Sequence, residues 1–225
     1  MALARFKKLC VDANDPSRLG PFWADVLGLT WQPYENGGGL LSGPLGHPRI
    51  WVNRVPEPKS VKHRVHFDIY ATDLSHLRAL GSGAALPQAD GRSWTVMTDP
   101  EGGEYCAFVR LELPEQRLHA LVVDCVDSRT QARWWGSVYA ATVVDDERGF
   151  SSVARIPGMG SLSMDFVPVP EPKTVKNRIH WDVTVADVQP LVDVGARMLR
   201  AEGGDIAWHV MADPEGNEFC AFVDD

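Results

Sequence analysis

The chain has 225 residues, 44% of them hydrophobic, which is enough apolar material for one large domain or two of half that length. Its net charge of −8 spreads no basic field over the surface, so bulk electrostatics argue against nucleic acid as a partner. No stretch approaches the roughly 18 apolar residues of a membrane span. Arg5, Lys7 and Lys8 interrupt the amino terminus before a secretory signal can form, and the four cysteines lie apart with no Cys-x-x-Cys pair. The expected setting is the reducing cytoplasm, with no membrane partner.

In chain order, Leu9 to Ala13 alternates as a strand. Asp15-Pro16 then supplies an N-cap followed by proline at the first helical position, and Phe22, Trp23, Val26 and Leu27 recur at helical spacing up to Gly28. Apolar runs at Leu40-Leu41 and Ile50 to Val55, set between Gly and Pro clusters, read as strands of a meander. The module is β-α-β-β-β. The same order restarts with Arg64 to Tyr70 as a strand and Asp73 capping a short helix through Leu77 and Leu80. Trp94 to Thr98 then turns through Asp99-Pro100-Glu101-Gly102 into Glu104 to Val109. The second half repeats this plan, with Asp127 to Tyr139 as its first helix and Asp187 to Leu199 as its second.

The repetition is also literal. Val55-Pro-Glu-Pro-Lys-Ser-Val-Lys-His-Arg-Val-His66-Phe-Asp68 returns as Val169-Pro-Glu-Pro-Lys-Thr-Val-Lys-Asn-Arg-Ile-His180-Trp-Asp182. The block from Trp94 through Cys106 to Val109 likewise returns from Trp208 through Cys220 to Val223. A weaker block sets Asp12 and Asp15 against Asp124 and Asp127. Two tandem copies follow, spanning 1–114 and 117–225, with the joint at Pro114, Glu115 and Gln116.

The motifs Val-Pro-Glu-Pro-Lys-x-Val-Lys-x-Arg-x-His-x-Asp and Asp-Pro-Glu-Gly-x-Glu-x-Cys-Ala-Phe resemble the glyoxalase-like domains of the vicinal-oxygen-chelate (glyoxalase, bleomycin resistance and extradiol dioxygenase) superfamily. The resemblance covers nearly all of both copies. It implies an α+β fold in which each copy pairs its two βαβββ modules into a half-open, eight-stranded barrel around a pocket. It also implies divalent-metal ligands, commonly His and Glu, on the first and last strands of each module. His66 and His180 meet one such position in each copy. The first-strand position holds Lys8 and Ala120 instead of His, and the last-strand position holds Cys106 and Cys220 instead of Glu. The expectation is therefore no cofactor, with weak zinc as the exception and His66, Cys106, His180 and Cys220 as its candidate ligands. Because Lys8 belongs to copy one, that copy is expected to bind metal least.

Alternation alone puts Val65, Phe67 and Ile69 on one face and His66, Asp68 and Tyr70 on the other. The polar faces of both copies nominate Asp12, His66, Asp68, Trp94, Cys106, Asp124, His180, Asp182, Trp208 and Cys220 as residues around a small-molecule ligand. The same pattern also describes hydrogen-bonded strand ties and cysteines that serve as small buried hydrophobes. Trp51 joins Trp94 and Trp208 as a possible aromatic wall, while Trp23, Trp134 and Trp135 read as helix packing. Lys59, Lys62, Arg64, Lys173, Lys176 and Arg178 form basic loops that either hold a ligand anion or pair with neighbouring acids such as Glu57 and Glu171. Two functions are in view: a small-molecule binding protein without the usual metal, and a lyase, isomerase or dioxygenase working through the His, Asp and Cys set.

Overall fold

The computed structural model describes residues 1–84 and 93–224. Strand β1 (Arg5–Ala13) leads into helix α1 (Pro16–Leu27), whose N-cap Asp15 accepts the Ser17 amide and whose end is turned by Gly28 at φ 69°. Three strands follow, β2 (Thr30–Pro33), β3 (Gly39–Ser42) and β4 (Ile50–Arg54). The second module runs β5 (Val65–Ala71), α2 (Leu74–Ala79), β6 (Gly83–Ala84), β7 (Thr95–Thr98) and β8 (Glu104–Val109). The third has β9 (Leu118–Cys125), α3 (Ser128–Tyr139), β10 (Thr142–Asp145), β11 (Ser151–Ala154) and β12 (Ser163–Pro168). The fourth has β13 (Ile179–Val185), α4 (Gln189–Asp193), β14 (Arg197–Arg200), β15 (His209–Ala212) and β16 (Glu218–Val223).

Two expectations change here. The helix read over Asp187 to Leu199 stops at Asp193, because Gly195 takes φ 108° and the chain leaves it as β14, hydrogen-bonded to β15. The strand β2 went unread because its residues are half-buried or exposed and carry no apolar alternation.

The larger correction concerns which modules pair. The two modules of one copy do not share a sheet. One eight-stranded sheet has the order β14-β15-β16-β13-β1-β4-β3-β2 and the other β10-β11-β12-β9-β5-β8-β7-β6. Each sheet thus takes one module from each copy, joined through antiparallel pairs β1 with β13 and β5 with β9. Neither sheet closes on itself, and we call them the outer-module sheet (first and fourth modules) and the inner-module sheet (second and third).

What joins the modules within a copy is packing. Trp23 of α1 meets Phe67 and Tyr105 of the inner-module sheet edge-on, with ring centroids 5.2 Å apart in both cases. Trp135 of α3 meets Trp181 and Phe219 of the outer-module sheet at 5.0 and 5.1 Å. Burying each such side chain is worth about 2–3 kcal/mol, so one continuous apolar core runs through all four modules. The Asp-Pro-Glu-Gly turns add a polar tie: Glu101 accepts the amides of Asn14 and Asp15, and Glu215 those of Val126 and Asp127. Among the described residues no helix is long and apolar enough to cross a membrane.

Candidate ligand-binding site

The burial of β5 alternates as its sequence predicts, with Val65, Phe67 and Ile69 inside the core and His66, Asp68 and Tyr70 on the opposite, partly open face. Which residues meet on that face depends on the strand register. In the outer-module sheet Cys10 lies opposite His180 and Lys8 opposite Asp182, while Cys220 lies beside Asp182 and Trp51 beside Cys10. The resulting cavity of about 400 Å³ is floored by Lys8, Cys10, His180, Asp182 and Cys220. Trp51, Trp208, Phe222 and Tyr34 form its walls, and Asn36, Asn53 and Arg54 also line it.

The lysine governs the electrostatics of that floor. Lys8 Nζ stands 3.3 Å from the buried Asp182 carboxylate, 4.4 Å from the centre of a Trp51 ring and 5.2 Å from that of Phe222. The Cys10 thiol donates to Asp182 Oδ1 at 3.6 Å. Burial, followed by the charge of Asp182, pushes the Cys10 and Cys220 thiols well up, so both stay protonated at neutral pH. His180 Nδ1 is buried with no hydrogen-bond partner among the described residues. Trp208 stacks on Phe222 at 5.5 Å, and Tyr34 tilts against Trp51 at 5.3 Å.

The inner-module sheet repeats this frame with different occupants. His66 lies opposite Val122, Asp68 opposite Ala120, and Cys106 beside Asp68. His66 Nε2 is 3.7 Å from both Asp68 Oδ1 and Cys106 Sγ. Burial dominates all three groups: it lowers His66 to about 4, raises Asp68 to about 7 and pushes the Cys106 thiol up. Beyond them Tyr70 donates to or accepts from His119 Nδ1 at 2.9 Å, and Trp94, Phe108 and His119 form a ring cluster.

Asp12 and Asp124 bond lysines and none of the cluster side chains, although their charges act on Cys220 and on His66 respectively. Lys176 bonds Asp12 and Lys62 bonds Asp124, each at 2.5 Å, beneath the two Pro-Glu-Pro-Lys loops, which enclose a separate cavity of about 430 Å³. The other basic residues of the loops also bond the protein, although Arg64 Nε is buried without a partner among the described residues. Lys59 and Lys173 pair with Glu104 and Glu218, while Arg64 and Arg178 bond the carbonyls of Glu171 and Glu57 across the copies. Their acid partners therefore differ from the expected Glu57 and Glu171 side chains. Trp51 on β4 and Trp208, just before β15, wall the outer cavity, while Trp94, just before β7, packs on Phe108.

Sequence reasoning missed Cys10, Tyr34, Asn36, Asn53 and Arg54. Asn36-Gly37 was the available signal, a turn dipeptide that marks the β2–β3 hairpin carrying two of them. The cross-copy register also regroups the candidate metal ligands. Lys8 belongs with His180, Asp182 and Cys220; Cys10, His180 and Asp182 bring three ligating atoms within 4.8 Å of one another, but the Lys8 ammonium 3.3 Å from Asp182 opposes a divalent ion among them. Ala120 belongs with His66, Asp68 and Cys106, whose ligating atoms all lie within 4.8 Å of one another with no lysine among them. This nitrogen, oxygen and sulfur set fits zinc, with a fourth position open.

An α+β frame of four βαβββ modules, with His, Asp and Cys converging on its concave faces, defines a vicinal-oxygen-chelate protein. A family model described as a glyoxalase-like domain matches residues 8–108 and again 120–222, and the chain belongs to that family. Among solved structures it is similar to glyoxalase I from Zea mays, with TM-score 0.68 and 11% identity over 97% of this chain and 92% of that one. A putative dioxygenase from Bacillus subtilis superposes with TM-score 0.64 and 11% identity, covering 98% and 85%. The cppA protein from Streptococcus pneumoniae does so at 0.51 and 11%, covering 98% and 100%. These likenesses establish the fold. No curated protein matches the sequence.

Proposed function

We propose that the protein binds a small molecule in the outer-module cavity, in the manner of the metal-independent binding members of its superfamily. One observation carries this reading: a cavity of about 400 Å³ with aromatic walls has Lys8 in place of a divalent ion, 3.3 Å from Asp182. Such a volume accommodates a ligand of modest size, and rings with a few convergent polar groups are the ordinary lining of a binding pocket. The residues proposed to contact ligand are Trp51, Trp208, His180, Asp182 and Cys220, together with Lys8 and Cys10. The test is a small-molecule screen by tryptophan fluorescence and calorimetry after exhaustive chelation. Retained binding that is lost in Trp51→Ala or Trp208→Ala supports the reading, and binding that requires added metal overturns it.

A second reading rests on the other sheet. His66, Asp68 and Cys106 would hold zinc, which supplies a Lewis acid there and so suits a lyase, isomerase or dioxygenase site. It predicts stoichiometric zinc uptake, seen by elemental analysis, that His66→Ala abolishes while Cys10→Ala does not.

A further inference from the structure

The outer cavity also constrains the charge of what it takes, and this step rests on the binding reading above. Lys8 and Arg54 line the cavity, and Asp182 is the one carboxylate among its lining residues. Lys7, outside the lining, lies 4.7 Å from the centre of the Phe222 ring. Arg54 makes no hydrogen bond or ion pair among the described residues. Lys8 pairs with Asp182 at 3.3 Å and lies against the Trp51 and Phe222 rings. The lining residues thus carry two cations against one carboxylate, although the charge of Arg54 also acts on Asp15 outside the lining. The inner-module cluster shows that this excess is local. At the positions of Lys8 and Trp51 in the strand register it carries Ala120 and Asp165, so its face lacks the lysine and gains an acid.

Shape gives the second constraint. Trp51 with Tyr34 and Trp208 with Phe222 present ring pairs at 5.3 and 5.5 Å on the walls, an arrangement that favours a flat, unsaturated body over a branched aliphatic one. Asn36 and Asn53 add amide donors and acceptors among the lining groups. We infer that the outer-module cavity recognises a flat aromatic monoanion, with the ring between Trp51 and Trp208 and the carboxylate or comparable oxyanion held by Lys8 and Arg54. Lys8 would then supply permanently the positive charge that a divalent ion supplies in metal-dependent sites.

Three probes with the same ring separate charge from shape: 2-naphthoate, 2-naphthamide and 2-naphthylmethylammonium, titrated calorimetrically into the full chain at neutral pH. The expected result is naphthoate at least tenfold tighter than the amide, the ammonium weakest, and both naphthoate and amide weakened by Trp208→Leu. Lys8→Met should bring naphthoate and amide to within about threefold of each other. If Lys8→Met does not fold, Arg54→Gln, at an exposed position, should narrow the same ratio. Naphthamide binding as tightly as naphthoate, or a ratio that the folded variants leave unchanged, overturns the charge inference and leaves the binding reading standing. Failure of all three probes to bind overturns the aromatic-anion inference, while the binding reading is decided by the screen after chelation.

Discussion

The two sheets are a controlled comparison made by duplication. Both place His-x-Asp on a central strand and Cys on its parallel neighbour. The outer one answers Asp182 with Lys8, and the inner one leaves Asp68 facing Ala120. One side chain changes the consequence of a shared motif. Where the lysine stands, a buried carboxylate has its counterion, and that charge opposes a metal among Cys10, His180 and Asp182. Where alanine stands, burial pushes the carboxyl up to about 7, and the three metal-type ligands there have no lysine paired to the carboxylate. Behind the sheets the helices differ in the same way. Trp135 Nε1 donates to Asp213 at 3.1 Å and Gln131 also bonds that carboxylate. Trp23 Nε1 has no partner among the described residues, and Leu19 follows its N-cap Asp15 at the interval at which Gln131 follows Asp127. A polar motif is therefore only as defined as the partner that tertiary contacts bring to it.

The largest expected effect comes from cutting the comparison apart. Fragments 1–115 and 116–225 each keep the Trp23 or Trp135 packing, but each loses the central pairings β1 with β13 and β5 with β9. Alone, each should be unfolded or self-associated through those bare edges, and co-expression should yield a 1:1 complex with the circular dichroism of the intact chain. A monomeric fragment 1–115 with a cooperative melt would contradict the cross-copy architecture.

Next in size, Lys8→Met leaves Asp182 buried without its cation and should cost about 3 kcal/mol in urea unfolding, most of it recovered in the Lys8→Met, Asp182→Asn double variant. Asp68→Asn in the inner sheet breaks no such pair and should show no loss of that kind. Equal losses at the two positions would show that the lysine does not distinguish the sheets.

A smaller, pH-dependent contrast lies in the Asp-Pro-Glu-Gly turns. Burial raises Asp99 to about 6, against an ordinary value of 3.8, while Oδ1 accepts the Glu101 and Gly103 amides. The folded state then holds this proton more tightly than the unfolded one. Its contribution is complete below about pH 4 and lost as pH rises through about 6. Asp99→Asn, which keeps an acceptor for both amides, should gain on the order of 2 kcal/mol at pH 7 and nothing at pH 4. Asp213→Asn should gain less or lose, because Trp135, Gln131 and Asn217 all donate to that carboxylate. Matched melting profiles of the two variants from pH 4 to 7 check the difference.

Much of this molecule was legible in its local sequence. Asp15, Asp73 and Asp127 cap their helices where the spacing places them, Gly28 ends α1, and the alternation of β5 sorts His66, Asp68 and Tyr70 from the core. The repeat identified four modules, and the resemblance its motifs carry gave the superfamily. The sequence could not say which modules share a sheet, and so it assigned Asp12 to the neighbourhood of His66 and Lys8 to the wrong metal question. The reason is physical. Strand β1 needs an antiparallel neighbour with an apolar face and a His-x-Asp face, and β5 and β13 are near-copies offering the same one. Period-two alternation fixes which face a residue occupies, but backbone amides and carbonyls carry no mark of their partner's identity. That choice belongs to tertiary packing, with Trp23 of α1 reaching the inner-module sheet, Trp135 of α3 reaching the outer-module sheet, and the loop arginines bonding carbonyls of the opposite copy. It alone decided that Lys8, Cys10, His180, Asp182 and Cys220 share one cavity.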